Sequence, residues 1–499
     1  MDCVTFTTES GNHYLFSPTK KTFVPVPKSV SEEIENGEFI TANCSDIVTT
    51  LKNCGYLDSS QAKFDGKITK EMIESNLVNL PQVVFEVTSV CNLRCEYCCY
   101  SSGYQTFANR EHGSLTFGKA KAMLDYISSL TYDERNSSQN VPLVISFYGG
   151  EPLLNFPLIR KIVDYAHSLH FNGRSCHFSM TTNATHLYEH IDFLYENDFH
   201  ILVSLDGNRR ADSYRRLYNG KESFDVVLSN LEKVKREYPD FFNTLRYNAV
   251  FTDKSNTEEL FTFFLDKIGK ALTISMLHES VEEAADYEMI KRMTKKMEMP
   301  KDDIAFNPNI FLEIPLHKKI VDVLTKLLNG VHTHDIDNFI NEDIRLYPTG
   351  TCVPFSKRLF VSNDGSILPC EKVCRDKPLG KVKNGQVDLD IEKVASRFNN
   401  AIAKIAPVCK NCYLQLNCNQ CLFMHNGHSC KNFTDKKKFS TMLSELFSYI
   451  EAHPNVYSLI RENFIVSLNS ATLRIVSGRC GQNRPECDFS CSNWLFAIS

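Results

Sequence analysis

Between residues 82 and 277 the chain alternates between two hydrophobic periods. Short β-rich runs occur at 82–88 (QVVFEVT), 143–149 (LVISFYG), 176–182 (CHFSMTT), 200–207 (HILVSLDG), 246–252 (RYNAVFT) and 271–277 (ALTISML). Between them, stretches such as FGKAKAMLDYISSL, FPLIRKIVDYAHSL and FDVVLSNLEKVKREY place apolar residues at helical spacing. Six strands alternating with helices predict βα units and a parallel sheet, an α/β fold. Periodicity leaves open whether that sheet is doubly wound or a partial barrel.

The flanks read differently. In residues 1–80, CVTFTT, HYLFSP and TFVPVP predict short strands, and SVSEEIEN and SDIVTTLKNCGYL predict short helices. This is a compact α+β module ahead of an 81–280 core. Residues 281–350 form a helical connector, residues 351–435 are rich in cysteine and turn residues, and 436–499 open with a helix (KKKFSTMLSELFSYIEAH). The tail holds Cys480, Cys487 and Cys491, which match no pattern.

Composition narrows the class. Hydrophobic residues make up 42%, which suits a folded globular protein. The 55 Lys and Arg against 60 Asp and Glu leave a net charge of −5, which gives no support for nucleic-acid binding. The start, MDCVTFTTESGN, has no basic stretch followed by an apolar one, and no apolar run reaches membrane length, so the expectation is a cytoplasmic protein with no membrane contact. In that setting 19 cysteines are better read as metal ligands or catalytic groups than as disulfides.

The first cluster is SVCNLRCEYCCY, with Cys91, Cys95 and Cys98 in a C-x3-C-x2-C pattern just after the first core strand. Three thiolates can hold three irons of a 4Fe–4S cube and leave the fourth open. A structural zinc site wants four ligands, and Cys99 is adjacent to Cys98, so the two converge poorly on one ion. A C-x2-C dithiol leaves Cys91 unused.

The C-x3-C-x-aromatic-C pattern after a first strand resembles the radical S-adenosylmethionine enzymes. In that family the open iron binds the cofactor's amino and carboxylate groups, and reductive cleavage yields a 5′-deoxyadenosyl radical that abstracts a substrate hydrogen. Tyr97 matches the aromatic position near the adenine. Gly149, Gly150, Glu151 and Pro152 match the GGEP motif, Thr182 and Asn183 the ribose-contacting position, Ser204 and Asp206 polar positions lining the cofactor, and Arg216 a carboxylate-binding position. The resemblance covers about 82–280 and implies a partial (β/α)6 TIM-like barrel.

The later cysteines resemble the family's SPASM extension, which binds two auxiliary 4Fe–4S clusters. Cys352 is followed by Gly365-x4-Cys370, then Cys409-x2-Cys412-x5-Cys418-x2-Cys421 and Cys430. The last spacing departs from the family's x3. Carried over, Cys409, Cys412, Cys418 and Cys430 hold a distal cluster, and Cys352, Cys370 and Cys421 hold three irons of a proximal one. The fourth iron is either open or taken by Cys374. The expected total is three 4Fe–4S clusters with S-adenosylmethionine. Glu371 follows Cys370, where sulfatase maturases of this type carry an acidic base. His425 and His428 match no ligand position and read as surface residues.

The front module resembles small winged-helix-like modules that bind a precursor's leader as an added β-strand. The resemblance therefore implies a radical enzyme acting on a ribosomally made precursor peptide to form a crosslink such as a thioether, with an electron donor such as flavodoxin or ferredoxin. Two alternatives stand beside it: an anaerobic sulfatase-maturase-like enzyme making formylglycine, and a zinc-stabilised interaction protein.

Overall fold

A computed structural model of the chain describes residues 2–459, apart from 38–44, 60–65, 101–111, 278–286, 330–346, 348–352, 425–428 and the positions 99, 271, 309, 374, 377, 416, 417, 419, 431 and 457. Cys99, Cys352, Cys374, His425, His428 and the three tail cysteines lie outside the described residues.

The front module opens with β1 (Val4–Thr7), β2 (His13–Ser17) and β3 (Thr22–Pro25), paired antiparallel in that order. The core strands are β4 (Gln82–Thr88), β5 (Leu143–Gly149), β6 (Cys176–Thr182), β7 (His200–Ser204), β8 (Arg246–Phe251) and β9 (Thr273–Met276), all parallel to their neighbours. These are the six strands expected from periodicity. Along β4 to β6, residues such as Val83, Phe85, Ile145 and Phe178 turn outward into the helices, while Gln82, Ser146 and Ser179 share the opposite face. The helix-facing residues and those of the surrounding helices form one large core.

Past β4 the sheet continues into the cysteine-rich region, which the hydrophobic pattern did not reveal. β10 (Leu359–Val361) pairs parallel with β4, and β11 (Ser366–Leu368), β12 (Gly380–Lys383) and β13 (Gln386–Leu389) follow antiparallel, giving ten strands among the described residues. Strands of three and four residues are too short to show a period. Residues 359–389 of the cysteine-rich region thus continue the core sheet. β4 and β9 do not pair with each other, so the six parallel strands stay open.

The helix Lys70–Val78 belongs to the core. It buries Ile73 and Leu77 there with Ile68 and Leu80, and packs on the helix Ile391–Cys409, where Ile68 N–H donates to Asn399 Oδ1 at 2.9 Å and Asn399 returns a bond to the Ile68 carbonyl.

The front sheet is covered on both faces. On one side Leu15, Val26, Val30, Ile34, Val48 and Leu51 join it to the helices Lys28–Glu35 and Asp46–Asn53. On the other, Val4, Phe6, Tyr14 and Phe16 pack with Phe439, Leu443 and Leu446 of the helix Lys436–Ala452 and with Phe311 and Ile320. That helix also runs along the outer edge of β1. Ser440 donates to the Thr5 carbonyl at 2.8 Å, Ser444 to the Thr7 carbonyl, and Ser448 accepts from Glu9 N–H at 2.9 Å. Three serines at i, i+4 and i+8 lie on one helical stripe, which is why one helix can pair an entire strand edge.

Candidate active site

β4 pairs with β5 through a register irregularity between Glu86 and Thr88, and the cysteine loop leaves the sheet there. The loop rests on the Gly149–Gly150 pair. Gly150 N–H donates to the Thr88 carbonyl and Glu151 N–H to the Val90 carbonyl, both at 2.9 Å. A Cβ at Gly149 (φ +147°) would stand 2.1 Å from the Thr88 carbonyl oxygen, and one at Gly150 would stand 2.2 Å from that of Val90. The two glycines therefore make room for the cysteine loop itself. On its other side the loop is stitched to 214–217: Arg94 N–H donates to the Arg216 carbonyl at 2.7 Å, and Glu96 N–H to that of Tyr214 at 3.3 Å.

The three thiols sit near one another. Burial pushes Cys91 up to about 11, and the charges of Glu151 and Cys98 add to it. Burial pushes Cys95 up to about 12; Arg215 works against that, while Cys98, Asp206 and Cys91 reinforce it. Thiols held this far from ionisation by burial, yet close enough to feel each other's charge, suit shared ligation to a cationic centre.

The strand-end motifs converge on this loop. Glu151, fully buried, accepts from Leu153 N–H (3.1 Å), Thr182 Oγ1 (2.7 Å) and Asn183 N–H (2.7 Å). Asn183 donates to Asn92 Oδ1 at 2.9 Å, and Asn92 to Thr185 Oγ1 at 2.8 Å. Pro152, also buried, opens the 3-10 turn Pro152–Asn155 that Glu151 caps. Ser204 ends β7 opposite Asn248 of β8.

A second buried network lies beneath Cys95. The Tyr97 hydroxyl donates to Asp206 and accepts from Arg215 Nη1 at 3.0 Å. Asp206 also accepts from Val250 N–H at 2.9 Å, and its own N–H donates to Asp212 at 3.1 Å. Arg215 Nε lies 3.6 Å from Asp212. Burial raises both carboxyls, Asp212 to about 8, against the opposing pull of Arg215. Nothing in the sequence marks Arg215 or Asp212, and the family resemblance points to Arg216. The structure turns Arg216 to the surface, 42% exposed and 4.0 Å from Glu96, and places Arg215 under the loop. Adjacent residues in an extended segment point oppositely, so the pair was separable only by which one faces the core.

The later cysteines fall into two groups. Cys409 ends the helix Ile391–Cys409; burial and the charges of Cys418, Cys412 and Cys430 push it up to about 12. These four thiols border one cavity of about 370 Å³, which Met276 of β9 and Lys318 also line. Cys370 follows β11, and burial, Glu371 and Cys421 raise it to about 12. Cys421 thus lies close enough to Cys370 for its charge to be felt there. Glu371 is held by Arg358, whose Nη1 reaches its two oxygens at 3.3 and 3.2 Å. Among the described residues no group of three or more His, Cys, Asp or Glu is placed to hold a single metal ion. Nor is any described helix long and apolar enough to cross a membrane.

Comparison with known proteins accords with this geometry. Residues 85–264 match the radical SAM superfamily. A cysteine-type anaerobic sulfatase-maturating enzyme of Clostridium novyi is 25% identical over 347 residues, 67% of this chain and 85% of that protein. The radical SAM cyclopropyl synthase TigE of Paramaledivibacter caminithermalis is 25% identical over 170 residues, 33% of this chain and 34% of its own. The chain spans less than half the length of several curated relatives it matches. Among solved structures, native anSMEcpe with bound AdoMet superposes with a TM-score of 0.50 at 19% identity, covering 76% of this chain and 99% of that one, a likeness of fold. The non-enzymatic zinc reading gives way to these matches. Residues 85–264 form a radical SAM domain, of a superfamily whose members work with a 4Fe–4S cluster and S-adenosylmethionine.

Proposed function

We propose that the enzyme modifies a ribosomally made precursor peptide, joining side chains in a crosslink such as a thioether. The observation that carries the reading is the meeting of the Cys91–Cys95–Cys98 loop with Glu151, Thr182, Asn183, Asp206 and Arg215 at the C-terminal ends of parallel strands, where α/β folds place their chemistry. In this reading the loop thiols hold the 4Fe–4S cluster. When bound, the cluster and S-adenosylmethionine supply one-electron cleavage and a hydrogen-abstracting carbon radical. Gly149 and Gly150 hold the loop against the strand ends. Tyr97, Asp206 and Arg215 brace Cys95 from below, and the strand ends carrying Thr182, Asn183 and Ser204 face the nucleoside. Cys409, Cys412, Cys418 and Cys430 hold one auxiliary cluster; Cys370 and Cys421, with Cys352, hold another. Glu371, which Arg358 holds in place, accepts a substrate proton.

The front module binds the precursor's leader. The helix Lys436–Ala452 covers the outer edge of β1, so the added strand takes the β3 side. Flavodoxin or ferredoxin delivers the electron, in the cytoplasm.

A second reading, formylglycine formation, is favoured by the match to the C. novyi sulfatase-maturating enzyme over two thirds of this chain and by the carboxylate after Cys370. One experiment separates the two. The anaerobically reconstituted enzyme is given S-adenosylmethionine, reductant and either a cysteine-bearing sulfatase peptide or a precursor encoded beside this gene. A crosslinked product loses two hydrogens and keeps its sulfur, whereas a cysteine turned to formylglycine loses its sulfur. Conversion of the sulfatase peptide alone overturns the first reading.

A further inference from the structure

Glu86 is a fully buried carboxylate on β4, five residues before Cys91, and neither the strand pattern nor the radical motif asks for it. A buried carboxylate is costly unless paired and hydrogen-bonded. Its partners come from the cysteine-rich half. Arg375 Nη2 lies 2.8 Å from Oε1, and Asn363 N–H donates to Oε2 at 3.0 Å. Arg375 Nη1 also donates to Asn363 Oδ1 at 3.2 Å. The same guanidinium lies 5.9 Å from the Tyr100 ring centroid.

Tyr100 is two residues beyond Cys98 and meets Tyr148 in a T-shaped contact, centroids 6.3 Å apart. Tyr148 directly precedes Gly149 and meets Phe360 of β10 in the same manner at 6.4 Å. One side chain therefore touches β4, the segment after the cysteine loop and the turn beside β10. A planar fork with several donors can satisfy a carboxylate, an amide oxygen and a ring face at once; a lysine cannot. Replacing a buried ion pair by an apolar pair of similar volume is often neutral or stabilising, so a buried ion pair is weak evidence for stability, and its directional bonds are what this seam gains from it.

We propose that Arg375 is a positioning residue for the wall of the radical site, acting through Tyr100. Held by Glu86 and Asn363, it fixes the Tyr100 ring against Tyr148 and so sets the exit of the cysteine loop relative to the GGEP turn. Geometry in the auxiliary half is thereby transmitted to the radical half. This inference rests on Cys91, Cys95 and Cys98 holding the radical cluster.

The test uses the full chain, reconstituted anaerobically, as wild type, as Arg375→Lys and as the charge-free double variant Glu86→Leu/Arg375→Met. The readouts are iron content, thermal midpoint, the change in the reduced loop cluster's electron paramagnetic resonance spectrum on adding S-adenosylmethionine, and the rate of 5′-deoxyadenosine formation. Both variants are expected to fold with wild-type iron at a somewhat lowered midpoint, because each takes a hydrogen bond away from a buried group of Asn363, to show an altered spectral change, and to form 5′-deoxyadenosine about tenfold more slowly, the scale of a small misplacement near the chemistry. If a folded, fully loaded variant shows the wild-type spectrum and rate, the proposal is overturned. Failure of both variants to fold also overturns it, since the pair would then be a requirement of the fold. A wild-type protein that shows no response to S-adenosylmethionine overturns the underlying reading, and the proposal with it.

Discussion

The two cysteine neighbourhoods are built by opposite means. Cys91, Cys95 and Cys98 sit in a loop that is correct only when four distant segments are correct: the Gly149–Gly150 turn beneath it, the 214–217 segment beside it, Glu151 with Asn183 at its edge, and the buried Tyr97–Asp206–Arg215 network below. Cys409, Cys412, Cys418 and Cys430 come from one short run of chain that begins at a helix end and borders a cavity whose other wall includes Met276 and Lys318. The first neighbourhood is a tertiary product with many buried polar partners; the second is nearly local. Damage at the first should therefore spread, and damage at the second should stay where it is made.

The largest effect tests the separation itself. In Cys91→Ala/Cys95→Ala/Cys98→Ala, reductant-driven 5′-deoxyadenosine formation should fall to background while the iron held by the later cysteines remains. Product assay and iron analysis on the same preparation check this. Loss of all iron would show that the two neighbourhoods fold as one unit.

Next comes Gly150→Ala. A methyl 2.2 Å from the Val90 carbonyl oxygen must push the loop off its seat, because the obstacle is backbone. The expected cost is on the order of 3 kcal/mol, with selective loss of loop iron, read by calorimetry and iron content. An unperturbed variant would mean that the loop does not rest on this turn.

The contrast also explains what sequence could show. The six core strands and the cysteine spacings were legible because each is local: period two in a strand, fixed intervals between thiols. The continuation of the sheet through β10 to β13 was not, since strands of three and four residues carry no period and β4, the partner of β10, lies far away in sequence. The choice between Arg215 and Arg216 was invisible for the same reason, because only the fold says which faces inward. Their place before the first core strand puts residues 66–80 with the front module in sequence, yet Ile68, Ile73, Leu77 and Leu80 pack in the large core between the sheet and its helices.

The arginine pair supplies a finer test. Arg215→Met leaves Asp206 and Asp212 buried without their cation, which should cost ~3–5 kcal/mol. Arg216→Met removes an exposed charge 4.0 Å from Glu96 and should change stability by less than ~0.5 kcal/mol. Urea titrations of the two variants make the comparison. Equal effects would place the wrong arginine under the loop.

The smallest expected effect concerns the front module. Removing residues 1–80 is a poor probe of leader binding, because the cut takes the Lys70–Val78 helix out of the core and strips Phe439 and Leu443 of their partners on the sheet. Hydrogen exchange on the intact chain is gentler. Val26 N–H donates to the His13 carbonyl, and Val24 stands opposite Leu15, so these residues turn their backbone groups toward β2 and leave Phe23 and Pro25 facing outward. Pro25 has no N–H to offer, as suits an edge. Phe23 then carries the outward donor of β3, and an added leader strand should slow exchange at that amide while leaving β1, already paired along its edge by Ser440 and Ser444, unchanged. Precursor peptide that slows neither strand, or slows β1 instead, would move leader recognition away from β3 and leave the front sheet as a support for the helix Lys436–Ala452.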